Sequence, residues 1–148
     1  MIDLEISTLV DRPVEEVFKF MSDPLNLPKW QVMVDRVEQA VPGAAGLGAK
    51  FNVYAQVMGR AMVGLMEITA LEPPNKFGFK NKSGPMEVHI TVTLKPAGTG
   101  SKVTLQVQGN PEGVLKFAEG PLGQQIKGQM QKNLEKLKSV LESLIQSS

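Results

Sequence analysis

The residues able to do chemistry in this chain are few and scattered. Nucleophilic catalysis needs an activated Ser, Thr, Cys or Lys beside an oriented base, and with no Cys and one His the only imidazole base is His89. His89 stands on the polar row of an alternating segment, Glu87, His89, Thr91 and Thr93 against Val88, Ile90, Val92 and Leu94. That alternation turns its side chain outward and makes it a surface histidine. One His and dispersed carboxylates supply no ligand cluster of the His-Glu-x-x-His kind, so no metal is expected and zinc chemistry is excluded. No cofactor is expected: Gly43 and Gly46-Leu47-Gly48 join two strands and lack the strand-loop-helix setting that aims amide groups at a phosphate. Asp23 precedes a Pro at a helix end and Asp35 is expected to face solvent, which leaves that pair without acid-base work.

What remains suits holding a molecule rather than remaking one. Met62, Met66, Met86 and Met130 carry adaptable thioethers that fill an irregular core or, equally, shape themselves around an apolar ligand. Trp30, the sole tryptophan, either staples a short helix to the sheet or forms the rim of a pocket entrance. Gln125, Gln129 and Asn133 recur at four-residue spacing, as polar anchors for a ligand carbonyl or hydroxyl, or as a solvated helix flank.

Composition narrows the partners. Sixteen Lys and Arg against 15 Asp and Glu leave a formal charge of +1, with no strongly basic half, so nucleic acid is not the expected partner. The absence of Cys excludes disulfides and leaves packing to hold the fold. A chain of 148 residues lies in the single-domain range and buries roughly 70% of its unfolded surface, so one domain over 1–148 is expected. The alternation Ile2, Asp3, Leu4, Glu5, Ile6 is not a secretory signal, and no run approaches the roughly 20 apolar residues that span a bilayer. A cytoplasmic protein without stable membrane insertion, monomeric or homodimeric, is the expectation.

The elements that would position these residues follow from periodicity. Ile2, Leu4, Ile6, Thr8 and Val10 share one side at period two, a half-buried strand. The period then changes: Asp11 suits an N-cap, Pro13 a first turn, and Val14, Val17, Phe18 and Met21 fall on one helical face. Ser22-Asp23-Pro24 ends that helix, and 25–30 has room for one further turn. From Val32 to Gly109 six strands are separated by turns at Pro42-Gly43 through Gly48, Gly59-Arg60, Pro73-Pro74-Asn75, Ser83-Gly84 and Gly98-Thr99-Gly100, short connections that imply an antiparallel meander. In the fourth strand the Met62, Gly64, Met66, Ile68 row is the inner one, because Val63 and Leu65 continue into Glu67 and Thr69. After Gly120, the residues Leu122, Ile126, Met130, Leu134, Leu137, Leu141 and Leu144 form the seam of a helix running from Pro121 to Gln146, about 39 Å long. Gly123 and Gly128 weaken its first turns by roughly 1 kcal/mol each.

This order resembles the helix-grip fold of the START-like SRPBCC superfamily, and its polyketide cyclase/dehydrase-like branch in particular. The resemblance covers essentially the whole chain. It is carried by Arg12-Pro13-Val14-Glu15-Glu16-Val17-Phe18, Asp23-Pro24, Leu27-Pro28-Lys29-Trp30, Gly46-Leu47-Gly48, Glu67-Ile68 before Glu72-Pro73-Pro74, and Asn133-Leu134-Glu135-Lys136-Leu137-Lys138. It implies an α+β fold: a seven-stranded curved antiparallel sheet around a long C-terminal helix, with two short helices between the first two strands. It implies a cavity and not a reaction, since none of these signatures is catalytic.

The function expected on this basis is the binding of a hydrophobic small molecule of lipid, isoprenoid or polycyclic type between sheet and helix, by a non-catalytic carrier or sensor. The expected lining is Phe51, Val53, Met62, Met66, Phe79, Met86, Val88 and Ile90 from the sheet and Leu122, Ile126 and Met130 from the helix, with Trp30 at the entrance. Space is expected near the helix's glycine-weakened end. A cyclase/aromatase or dehydratase enzyme is the first alternative, and it needs titratable groups on inward rows that carry almost none. A protein-interaction module of the chaperone-regulator type, docking through Val63 and Leu65, is the second.

Overall fold

Period-two segments become strands and period-3.6 segments become helices in the order the sequence sets out. The computed structural model describes residues 2–40, 46–57, 59–83, 86–111 and 119–143. Strand β1 (Ile2–Val10) leads into helix α1 (Val14–Met21), one 3-10 turn (Pro24–Asn26) and helix α2 (Leu27–Trp30). Six strands follow, β2 (Val34–Gln39), β3 (Lys50–Val57), β4 (Arg60–Glu72), β5 (Lys76–Ser83), β6 (Met86–Ala97) and β7 (Gly100–Pro111), and then helix α3 (Glu119–Ser143). The predicted helix end at Gln146, the Leu144 position and the Pro42-Gly43 turn lie outside the described residues, as does Gly84 of the Ser83-Gly84 turn.

All seven strands form one curved antiparallel sheet in the order β1-β7-β6-β5-β4-β3-β2. Consecutive strands from β2 to β7 are neighbours, as short turns demand, and β1 docks on β7 with Ile2 opposite Gly109, Ile6 opposite Leu105 and Val10 opposite Ser101. Gly100 permits the end of that pairing: a Cβ there would run into the Val10 carbonyl oxygen and approach Asp11 Cα to 3.0 Å. Only glycine lets the two backbones come this close.

One face of the sheet is covered and the other is wet. Val92, Leu94, Val103 and Leu105 are wholly buried in one core cluster with Leu137 and Leu141 of α3, each such side chain stabilising the fold by about 1.5–3 kcal/mol. Helix α1 closes the opposite part of the same core with Val14, Val17, Phe18 and Met21, and the Phe18 ring meets Phe77 edge-on at 5.6 Å. Glu15 and Glu16 in its first turn and Lys19 in its last complement the helix dipole.

The capping expected of Asp11 is not what the structure contains. Pro13 occupies the N-cap of α1 in extended conformation with no side-chain cap, because its fixed φ already sets the chain for the first turn. Asp11 instead ties the two ends of the fold together: its backbone N–H donates to Glu142 Oε2 at 2.9 Å and its carboxylate accepts from Thr99 Oγ1 at 3.3 Å. Lys138 Nζ donates to the same Glu142 oxygen at 2.9 Å and to the Leu9 carbonyl at 2.7 Å.

The Lys138 hydrogen bond, then the Asp11 N–H, hold the Glu142 carboxyl below its ordinary value of 4.5. A depressed carboxylate pKa contributes stability that is present above the unfolded value and is lost as pH falls through the folded one. Glu142→Gln should therefore lower the melting temperature slightly at neutral pH, with the gap to the native protein closing as the pH drops below that ordinary value. Melting curves of both proteins between neutral and acid pH check this; a gap independent of pH would mean that the carboxylate charge plays no part.

Candidate functional site

The inner face of the sheet grades from closed to partly open along α3. At the C-terminal end of the helix Leu134, Leu137 and Leu141 are at most 3% exposed and belong to the core cluster. Toward the N-terminal end Ile126 and Met130 are only half-buried and lean on the edge of the core, as does Val88 of β6, and Met62 of β4 is half-buried as well. Leu has a well-defined shape that fits a curved sheet closely, whereas Gly123 and Gly128 on this stretch of helix add no side-chain volume.

The predicted lining divides accordingly. Phe51, Val53, Met66, Phe79 and Ile90 are brought together in one core cluster and are between 2% and 6% exposed; they form a closed apolar wall. Met62, Val88, Ile126 and Met130 stand at its partly open margin. The side chains of Met86 and Leu122 lie outside the described residues. Trp30 is 1% exposed and sits inside the core cluster rather than on a rim, the placement of a staple between α2 and the rest of the fold. Its indole Nε1–H is buried with no acceptor among the described residues.

Strand pairing fixes which side chains share the inner face. Met66 lies opposite Phe51 on β3 and opposite Asn81 on β5, and Asn81 lies opposite Val88 on β6. Asn81, two residues beyond buried Phe79, is thus a polar group on the apolar inner row, and its Oδ1 is buried without a hydrogen-bond partner. A Cβ at Gly64 would collide with that same oxygen, so glycine at 64 makes room for the carboxamide. Sequence reasoning missed Asn81, although the signal was present: the period-two row that places Phe77 and Phe79 inward continues to Asn81.

The polar flank of α3 behaves differently from either reading of it as a whole. Gln125 is exposed, but Asn133 is 2% exposed. Its Oδ1 accepts the Val32 N–H at 3.0 Å and the Gln129 Nε2–H at 3.2 Å. Asn133 is therefore a clamp between α3 and the chain leaving α2, satisfying a backbone donor.

A hollow of about 540 Å³ lies at another part of the molecule. Phe18, Pro24, Leu25, Phe51, Ile68, Leu71 and Pro73 give it an apolar lining, with Ser22, Asp23, Gln39 and Gly46 among its other walls. It arises where α1, the β2–β3 connection and the end of β4 meet, three segments remote in sequence, and no local pattern announced it. Asp23 here does the work of a cap, its Oδ1 accepting the Leu25 N–H at 3.0 Å.

The outer face holds the titratable groups. His89 has a side chain 52% exposed, with Nε2 3.5 Å from Glu87 Oε1. Tyr54 donates to Glu38 at 2.5 Å beneath the Arg36 guanidinium, which sits 3.7 Å from the ring centre. That hydrogen bond lowers the Glu38 pKa and raises the Tyr54 pKa. Val63 and Leu65 are 55% and 45% exposed on this face, as their row predicts. Replacing His89 by Ala should change stability by no more than about 0.5 kcal/mol, as read by chemical denaturation. A larger loss would show that the Glu87 contact carries weight that its exposure does not suggest.

Among the described residues no group of three or more His, Asp or Glu is placed to hold a metal ion, and no helix is long and apolar enough to cross a membrane.

Solved structures share this architecture at low identity. A START superfamily protein from Mycobacterium smegmatis superposes with a TM-score of 0.81 at 12% identity, covering 97% of this chain and 99% of that one. A protein from Thermus thermophilus gives 0.73 at 22% identity, covering 99% of each chain. The di-domain ARO/CYC BexL from the BE-7585A biosynthetic pathway gives 0.80 at 18% identity, and this chain, wholly covered, spans 48% of it. A comparison with curated proteins finds no match. The model of the family described as polyketide cyclase / dehydrase and lipid transport matches residues 1–142, and the chain belongs to that family.

Proposed function

We propose that the protein binds a hydrophobic small molecule of lipid, isoprenoid or polycyclic type between the inner face of the sheet and the N-terminal half of α3, as a carrier or sensor. The observation that carries this reading is the gradient along the helix: a close-packed Leu seam at one end, and at the other half-buried Met62, Val88, Ile126 and Met130 around a closed wall of Phe51, Val53, Met66, Phe79 and Ile90. Met86 and Leu122 belong to the same proposed lining. Binding would be driven by burial of apolar surface at roughly 25 cal/mol per Å², and the unbranched Met side chains can adjust to the ligand's outline. The family's description names lipid transport beside cyclase and dehydrase activity. A cyclase site needs groups that can exchange protons, yet among the described residues the inner row of β5 and β6 offers Asn81, while His89 faces out.

Melting the protein with oleate, farnesol and an anthraquinone tests the proposal. A ligand present at a hundredfold its Kd adds roughly 2.7 kcal/mol to the folded state, which raises the melting temperature by several degrees. Ile126→Trp, which fills the partly open margin, should abolish the rise, and Thr91→Glu on the outer face should leave it intact. If none of the three raises the melting temperature, the binding reading fails and docking through the Val63 and Leu65 face becomes the better account.

A further inference from the structure

We infer that Asn81 is the polar anchor of this site, and that the site selects apolar molecules carrying a hydrogen-bond donor, a hydroxyl above all. The inference rests on the binding reading above. Asn81 lies on the inner row of β5, near the middle of the sheet, flanked by Met66 on β4 and Val88 on β6. Its Oδ1 is buried, and among the described residues no donor reaches it. A buried acceptor stripped of water and left unpaired is unfavourable, and most such groups in folded proteins have a partner. Two features indicate that the partner comes from outside the chain.

The first is the company Asn81 keeps. Its cross-strand neighbours Met66 and Val88 are apolar and have no donor to offer. The second is Gly64. Alanine at that position would place its Cβ against Asn81 Oδ1, so β4 leaves a side-chain vacancy where the carboxamide lies. A buried carbonyl oxygen accommodated by a glycine, yet unpaired, costs stability without returning any in the free protein. A ligand donor would convert that cost into affinity. The torsion about Cβ–Cγ of Asn is soft, so the oxygen can swing from over Gly64 toward a bound molecule beside half-buried Val88 with no change in the backbone.

A matched pair of probes separates this inference from the reading beneath it. 2-Naphthol and 2-methoxynaphthalene share a ring system, but only the first can donate a hydrogen bond, and the ether is the more apolar of the two. Calorimetric titration of the native protein should show 2-naphthol binding about tenfold more tightly, equivalent to about 1.4 kcal/mol. In Asn81→Leu, of similar size and without the acceptor, the two probes should bind equally, near the affinity of the ether for the native protein. The unliganded variant should melt higher than the native protein, since the orphaned oxygen is gone. Gly64→Ala, which pushes the carboxamide aside, should also erase the preference. Should Asn81→Leu not fold, Asn81→Ala carries the comparison.

Equal binding of both probes to the native protein, unchanged in the variants, would overturn the anchor and leave the apolar site standing. Binding of neither probe would overturn both.

Discussion

A chain ending at residue 120 is expected not to fold. Truncation before Pro121 removes Leu134, Leu137 and Leu141, which are 3%, 0% and 0% exposed, together with Ile126 and Met130 at the margin of the core. Side chains of this kind contribute about 1.5–3 kcal/mol each when buried, against a total stability of only about 5–15 kcal/mol for a domain. The loss also opens the core cluster that holds Val92, Leu94, Val103 and Leu105, and deprives the Val32 N–H of Asn133. The measurement is a thermal or urea melt of the 1–120 fragment followed by circular dichroism. A soluble fragment with a cooperative transition would show that the helix is an accessory and that the core lies elsewhere.

Met66→Glu and Leu65→Glu should differ sharply in their effect on stability. The two residues are consecutive on β4, yet Met66 is 3% exposed within the core cluster and Leu65 is 45% exposed opposite Lys82. Glutamate at 66 would place a carboxylate among Phe51, Phe79 and Ile68, in a cluster of apolar described residues, and leaving a buried charge unpaired costs about 3–5 kcal/mol or neutralises the group by raising its pKa. Glutamate at 65 stays in water beside a lysine and should change stability by no more than about 0.5 kcal/mol. Urea denaturation of both variants at neutral pH decides the matter, and the Met66→Glu deficit should shrink in acid as the carboxyl takes up its proton. Comparable losses for the two would mean that the register of β4 is shifted by one residue, since a one-residue slip exchanges the faces.

The same pair shows what periodicity alone determines. Because side chains alternate strictly along a strand, Glu67 and Thr69 were enough to turn Val63 and Leu65 outward and Met62, Gly64, Met66 and Ile68 inward, and the structure has them so. The three- and four-residue spacing of the last segment likewise identified Leu134, Leu137 and Leu141 as the face of α3 that covers the sheet. His89 could be placed outside for the same reason. These are local regularities, set by the backbone geometry of strand and helix.

Where the result depended on which segments meet, the sequence by itself was silent. Asp11 has the chemistry of an N-cap, but the return of α3 to the end of β1 offered its N–H the Glu142 carboxylate, and Pro13 took the cap. Asn133 belongs to a flank whose spacing reads as solvent-facing, and only the docking of α2 against α3 gave its oxygen the Val32 N–H to accept. Trp30 could be staple or rim until packing enclosed it. Asn81 was placed inward by its strand, but the absence of a partner for its oxygen, and the glycine that leaves it room, emerge only when β4, β5 and β6 lie side by side. Periodicity reports the direction a side chain takes from its own backbone; hydrogen bonding and enclosure are properties of pairs of residues far apart in the chain, and tertiary structure alone brings those pairs together.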